Sequence, residues 1–387
     1  MIIAIANQII GSQLYTGGDI LSFEVLKRSE YSKTVILAPL SIQKYIKNNS
    51  NNIDVIPTDY DEHYNTFGTT IMVGFSTIYR YIIRIFRSII ILEKNLKDLE
   101  VLYLTGDFIC NSIPAIYIKI RKKRVKLILN FYHRNPKSRD RGNNMFIFSF
   151  VSRILQTVSL SLVRSYVYKV FVLSTIGKEE LEMLRYDSNK IVVTGGGGNN
   201  KYLTMQGINT NKLMDIKRKS NDILVVGRLS RTKGIFDIPK ILSGINTKNK
   251  WKLNIAGIGH KEDIEIFQKE LKKYNLEDRV NILGFVSEQK KWELLAASKI
   301  FILTSHEEGY SLAVHEALLA KCRVVAYKLD SLYSIFSDYD VHFIEEFNKD
   351  QFSIKVNELM DSTHIPGSSL MRPQSWNELA AKQYAEI

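Results

Sequence analysis

The feature that most constrains this chain is a strict alternation of short apolar runs with stretches of helix length. The strand candidates of the first half are Ile2–Ala6, Thr34–Ala38, Ile53–Ile56, Val101–Leu104, Val125–Asn130, Val170–Leu173 and Ile191–Val193. Those of the second half are Asp222–Val226, Trp251–Ala256, Arg279–Leu283, Lys299–Leu303, Arg323–Ala326 and His342–Ile344. Strands that alternate with helices build parallel sheets from βαβ units. The polar stretch Asn199–Asn221 has no clear period and divides the two sets, as a connection between domains would. A chain of 387 residues is long enough for two full cores. The expected fold class is therefore α/β, with two Rossmann-like domains. Ligands of open α/β sheets bind beyond the carboxyl ends of the strands, so both halves offer loops to one central cleft.

The densest chemistry lies in Ser305-His-Glu-Glu-Gly-Tyr-Ser-Leu-Ala-Val-His-Glu316, after the predicted strand Lys299–Leu303. Glu308 sits in a loop with Gly309 and Tyr310. A helix is expected to begin near Ser311 and to carry Glu316 in its second turn. A helix start beside a glycine loop offers free backbone N–H groups to an anion. A nucleotide-sugar has a diphosphate for those groups and hydroxyls for the two carboxylates. Earlier in the chain, Arg228 and Lys233 follow a predicted strand, between Gly227 and Gly234. Two cations there suit a diphosphate leaving group, with Arg able to grip two oxygens and Lys acting as a point charge. Glu307 is one residue off the spacing and is expected to face solvent.

The Glu308 to Glu316 segment resembles the signature of family-4 glycosyltransferases, which have the GT-B fold. Three more segments carry the resemblance. They are Ile223-Leu-Val-Val-Gly-Arg-Leu-Ser-Arg-Thr-Lys-Gly234, Lys252-Leu-Asn-Ile-Ala-Gly-Ile-Gly259 and Arg279-Val-Asn-Ile-Leu-Gly-Phe-Val286. Order and spacing match from about Ile223 to Ala326, and the first half matches in outline. The resemblance implies an acceptor-binding domain over 1–200 and a nucleotide-sugar domain over 201–370. It also implies a closing helix over 371–387 that crosses back towards the first domain. Glu316 would bind ribose hydroxyls, and Glu308 would lie near the donor sugar. Gly309, Tyr310 and Ser311 would supply amides, and Arg228 and Lys233 would hold the diphosphate. Gly17 and Gly18 resemble the family's N-terminal glycine loop, and His133 its donor-contacting histidine. The resemblance implies a retaining transfer with neither metal nor cofactor. The sequence departs from the family at Ala320-Lys-Cys322, where Lys321 is expected to take a positive φ in place of glycine.

Charge points to the partners. Residues 1–200 hold 26 Lys and Arg against 16 Asp and Glu, and residues 201–387 hold 27 against 24. Most of the net charge of +13 therefore lies in the first half. A basic half suits an anionic partner or a merely solvated face. The expected acceptor is lipid-linked or saccharide, as in cell-surface polysaccharide or glycolipid assembly, with peripheral contact to an anionic membrane. Nucleic acid is not expected, because aromatic-interleaved RNA motifs are absent. Two cysteines make no disulfide framework, and the apolar start lacks a basic leader. Both fit a cytoplasmic protein at the inner face of the membrane. The stretch Thr70–Leu92 carries Arg80, Arg84 and Arg87 at helical spacing. It reads either as an interfacial amphipathic helix or as a core helix with its arginines on the wet face. Met145–Val172, with Arg153, Arg164 and Lys169 interspersed, has the same two readings, and its apolar residues, which are not confined to one side, favour a core helix over an interfacial one. The acids of Asp59-Tyr-Asp61 and Asp338-Tyr-Asp340 are expected at the surface, and no histidines show metal-ligand spacing. The rival functions are a GT-B-type nucleotide-sugar epimerase and a basic nucleic-acid- or membrane-binding protein without catalysis.

Overall fold

The computed structural model describes residues 1–9, 16–60, 70–135, 146–198, 220–248, 250–362 and 372–387, with backbone alone at 70–75, 146–149 and 221. The chain forms two compact units. One comprises Met1–Gly195 with Trp376–Ile387, the other Gly196–Ser375.

The first unit is built on seven strands: β1 (Ile2–Ile5), β2 (Thr34–Ala38), β3 (Ile53–Pro57), β4 (Val101–Leu104), β5 (Lys126–Phe131), β6 (Lys169–Val172) and β7 (Ile191–Val193). They pair in the order β3-β2-β1-β4-β5-β6-β7, and every pairing is parallel. Strands β1, β2 and β4 are buried along their whole length. This is why they read as unbroken apolar runs: a parallel sheet is covered on both faces. Its helices are α1 (Gly17–Leu26), α2 (Leu40–Asn49), α3 (Thr70–Lys94), α4 (Ile109–Arg121), α5 (Phe146–Val163) and α6 (Thr175–Met183). The side chain of Thr16 caps α1 by accepting from the Asp19 N–H, and Ser174 caps α6 in the same way through Gly177. The helix Trp376–Tyr384 docks here. Tyr103 donates to Gln383 Oε1 at 2.9 Å, and Arg28 donates to Asn377 Oδ1 at 2.6 Å.

The second unit repeats the plan with six parallel strands: β8 (Ser220–Val226), β9 (Leu253–Ala256), β10 (Val280–Gly284), β11 (Ser298–Leu303), β12 (Arg323–Tyr327) and β13 (Val341–Ile344). Their order is β10-β9-β8-β11-β12-β13. In each sheet the order reverses at the first strand, between β1 and β4 and between β8 and β11. Such reversals leave a crevice beyond the carboxyl ends of the strands.

Two expectations are corrected. Asp59 is buried at 4% exposure and is not a surface acid, because Arg84 Nη2 meets its Oδ2 at 2.8 Å. Arg84 in turn faces inward and not towards water. It also donates to the carbonyls of Asn7 and Ile9, at 2.6 and 3.0 Å. Asp61 lies outside the described residues.

Candidate functional site

The reversal point of the second sheet brings together the loop after β8 and the loop after β11. Gly234, which ends the first loop, has φ 66°, and a Cβ there would stand 1.8 Å from the Thr304 carbonyl oxygen. Only glycine allows the two backbones to come so close. The contact is then sewn shut. Thr304 Oγ1 donates to the Gly234 carbonyl at 3.0 Å, and the His306 N–H donates to the Thr232 carbonyl at 2.9 Å. Behind the seam, His306 stacks on Tyr327 and Phe347 and pairs with Glu346 at 2.7 Å and Asp237 at 3.3 Å. Burial works against charge on His306, but the two carboxylates outweigh it and raise its pKa.

On this frame Lys233 Nζ reaches Glu308 Oε1 at 2.6 Å, and Ser305 Oγ donates to the same oxygen at 2.8 Å. The Glu308 side chain is 9% exposed and that of Lys233 24%, so the pair is sheltered yet open on one side. Ser331 Oγ donates to the Glu308 carbonyl at 2.6 Å and fixes the loop from behind. Arg228 is exposed, and its side chain makes no hydrogen bond or ion pair with another described residue.

The helix Leu312–Leu319 starts after Ser311, which has φ 68° and accepts from the Val314 N–H. A non-glycine residue in the left-handed region is a strained position of the kind held at functional sites. Gly309 is half-buried in the loop. The Tyr310 side chain points inward. Its hydroxyl meets His315 Nδ1 at 2.6 Å, and His315 Nε2 meets the Gln374 carbonyl at 2.9 Å. Burial pushes the His315 pKa down to about 4, so the imidazole is neutral and joins the two as an uncharged relay. At the helix end, Lys321 takes φ 60°, as its place in the sequence predicts.

Glu316 lies in the second turn of this helix, with its side chain 14% exposed. Sequence reasoning missed its partner. Lys291, on the helix Glu288–Ala297, meets Glu316 Oε1 at 2.6 Å and Glu288 Oε1 at 2.9 Å. Burial pushes the Glu316 carboxyl up, and the Lys291 ammonium pulls it back. The one available signal was helix phase. Trp292 and Leu295 are buried, which puts Lys291 at the border of the apolar face and not out with Lys290.

The first unit holds the remaining candidates. Gly17 and Gly18 form the first turn of α1. A Cβ on Gly18 would stand 2.4 Å from the Tyr132 ring, and the Tyr132 hydroxyl donates to the Gly18 carbonyl at 2.8 Å. The glycine is required by this contact between α1 and the end of β5. His133, next in the chain, is exposed, and Gln156 Nε2 donates to its carbonyl at 2.9 Å. The same Gln156 donates to buried Asp107 at 2.7 Å, and burial pushes the Asp107 pKa up to about 6. Lys137, Arg139 and Arg141 lie outside the described residues. Gly17, Gly18 and His133 thus belong to one unit, and Arg228, Lys233, Glu308 and Glu316 to the other.

Residues 210–378, which contain both charged loops, match the family described as Glycosyl transferases group 1. That stretch is similar to the group 1 glycosyltransferases. The poly(glycerol-phosphate) alpha-glucosyltransferase of Bacillus subtilis (strain 168) is 28% identical over 162 residues, which is 39% of this chain and 23% of the relative. The GDP-mannose:cellobiosyl-diphosphopolyprenol alpha-mannosyltransferase of Xanthomonas campestris is 28% identical over 99 residues, 25% of this chain and 26% of the relative. The matched stretches thus span about a quarter of the length of each of these relatives. Among solved structures, Anabaena HepE in complex with UDP and glucose superposes with a TM-score of 0.70 at 12% identity. The match covers 100% of this chain and 98% of HepE. At that identity the likeness establishes the fold, which is GT-B.

Proposed function

We propose that the protein is a glycosyltransferase that moves a sugar from a nucleotide-sugar donor to a lipid-linked or saccharide acceptor. The observation that carries this reading is the Lys233–Glu308 pair at the reversal point between β8 and β11, with Arg228, a cation without a partner among the described residues, on the same loop. Lys233 and Arg228 stabilise charge on the departing nucleoside diphosphate. Glu308 and the amides of Gly309, Tyr310 and Ser311 orient the donor sugar, and Glu316 accepts from ribose hydroxyls. The resemblance assigns His133 to the donor sugar, and Gly17 and Gly18 to the approach of donor phosphate and acceptor.

The reaction breaks the bond from the anomeric carbon to the diphosphate and forms one from the same carbon to an acceptor hydroxyl oxygen, on the same face of the ring. The acceptor proton passes to the leaving phosphate oxygen, and neither metal nor cofactor takes part. The named substrates of the two curated relatives, a glycerol-phosphate polymer and a diphosphopolyprenol, support a role in cell-surface polymer or glycolipid assembly. The basic first half supports an acceptor met at the inner face of the cell membrane. None of the described helices is long and apolar enough to cross a membrane.

The test is transfer from radiolabelled UDP-, GDP- and ADP-sugars to polyprenol-linked and soluble saccharide acceptors, with the anomeric configuration of the product read by NMR. A product with the donor's configuration, made without added divalent ion, is expected. An inverted product would overturn the proposed geometry, and turnover of the nucleotide-sugar without any acceptor would favour the epimerase.

A further inference from the structure

Three neighbouring helices of the first unit carry large apolar side chains on their outer sides as well as in the core. In α3 two inward positions are polar, next to buried Leu92. Arg84 is sealed against Asp59, and buried Ser88 accepts from Asn7 Nδ2 at 3.0 Å. Its outward positions are Ile78, Tyr79, Ile82, Phe86 and Ile90, between 48% and 66% exposed. In α5 the pattern recurs. Gln156 and Ser159 face inward beside buried Leu160 and Val163, and Ser159 meets Ser112 at 2.7 Å, while Phe150, Ile154, Val158 and Leu162 face out. Between them α4 presents Ile113, Tyr117 and Ile120. α4 packs against both α3 and α5, so these side chains form one outer face. A helix exposed to water alone shows the opposite pattern. The helix Lys261–Lys273 of the second unit does so, burying Phe267 and Leu271 and exposing Lys and Glu. An apolar face of three helices marks an interaction surface.

The charges say what covers it. Apart from Arg84, which Asp59 neutralises in the interior, α3 holds Arg80, Arg87 and Lys94 against Glu93 alone, and α4 and α5 hold no acid. Glu93 is already taken by Arg121, at 3.2 Å. In a parallel sheet these helices all end at the same edge, where Lys94, Lys97, Lys123 and Arg124 are exposed and outnumber the exposed acids Asp98 and Glu100, the latter paired with the N-terminal amine. A second copy of the face would set cation against cation. An anionic lipid surface accepts both parts, apolar side chains among the acyl chains and basic ends among the headgroups.

We propose that the outer face of α3, α4 and α5 is a membrane-docking surface for anionic bilayers. The inference deepens the membrane contact of the proposed function and rests on that part of it alone. It also extends the sequence reading. The arginine Arg84 is not the wet side of α3, and α5 is not a purely internal helix.

The test is co-sedimentation of the full chain with vesicles of phosphatidylcholine alone or mixed with phosphatidylglycerol, without nucleotide or acceptor. Strong partitioning to the mixed vesicles is expected. The variant Ile82→Gln/Phe86→Gln/Ile154→Gln should bind them at least about tenfold more weakly, with an unchanged melting temperature, since all three side chains are exposed. The variant Lys123→Glu/Arg124→Glu should lose the preference for phosphatidylglycerol. Absence of binding by the native chain would overturn the proposal, as would equal binding by the triple variant. A native dimer that the triple variant splits would assign the face to a second copy instead. Transfer to a soluble acceptor, measured in parallel, reports on the proposed reaction whatever the vesicles show.

Discussion

The two sheets reverse direction at equivalent places, and the two reversal points are furnished differently. At β1 and β4 the crevice holds buried amides and a hydroxyl around one carboxylate, that of Asp19. Asn111 Nδ2 donates to Gln8 Oε1 at 2.8 Å, while Gln8 Nε2 donates to Asp19 at 2.9 Å and to Thr105 Oγ1 at 2.9 Å. The nearby ion pair of Arg84 and Asp59 is sealed, with side chains 2% and 6% exposed. At β8 and β11 the ion pairs Lys233–Glu308 and Lys291–Glu316 keep 24%, 9%, 16% and 14% exposure, and Arg228 stands free of described partners. The same kind of bond therefore plays two parts. Closed off from water it holds the fold, because losing one partner strands a buried charge. Left open at strand ends, it would, in the proposed reading, hold charges ready for an anionic ligand.

Breaking the open pair should have the largest effect. Lys233→Met should lower transfer by about two to three orders of magnitude, as expected for loss of a charge that stabilises the leaving group. Steady-state kinetics with the true donor checks this, and near-native turnover would remove Lys233 from the reaction. Breaking the sealed pair should act on stability instead. Arg84→Met leaves Asp59 without its partner and two carbonyls without a donor, at a cost of about 3–5 kcal/mol, read as a lower urea midpoint for the first unit.

The second unit also carries a pH signature. The folded pKa of His315 is depressed to about 4, below its usual 6.5, so the unfolded chain binds the proton that the fold excludes. Its contribution is complete above pH 6.5 and is lost as pH falls towards 4, on the order of 3 kcal/mol in all. His306, raised above its usual value, works in the opposite sense: its contribution is complete below pH 6.5 and fades as pH rises through the folded value. Melting temperatures of His315→Gln and the native protein should therefore converge in acid and part above pH 6.5. The smallest effect is expected at Lys291. Lys291→Met should weaken donor binding about tenfold, because burial then favours the protonated Glu316 carboxyl. Raising the pH should recover part of the loss, which a merely structural role for Lys291 would not do.

Much of this was legible in the sequence, and for a physical reason. Each parallel strand is an apolar run closed by a polar or glycine turn, so strand positions and the two sets could be read directly. The charged loops were legible because glycines fix their spacing, as the 1.8 Å approach at Gly234 makes plain. Direction was not legible. The arginines of Thr70–Leu92 give a polar stripe, and periodicity does not say whether a stripe faces water or a buried Asp59. Lys291 was hidden for the same reason, in a run of charged residues where only the three-dimensional neighbour, Glu316, sets it apart from Lys290.

The most direct test of the account is a calorimetric titration of UDP-, GDP- and ADP-sugars into the native protein, Glu316→Gln and Lys233→Met. The account predicts that one nucleotide-sugar binds the native chain and that both variants bind it at least about tenfold more weakly, a loss of about 1.4 kcal/mol each. Binding of equal strength in all three proteins would place the donor away from the loops after β8 and β11 and would contradict the assignment of this site.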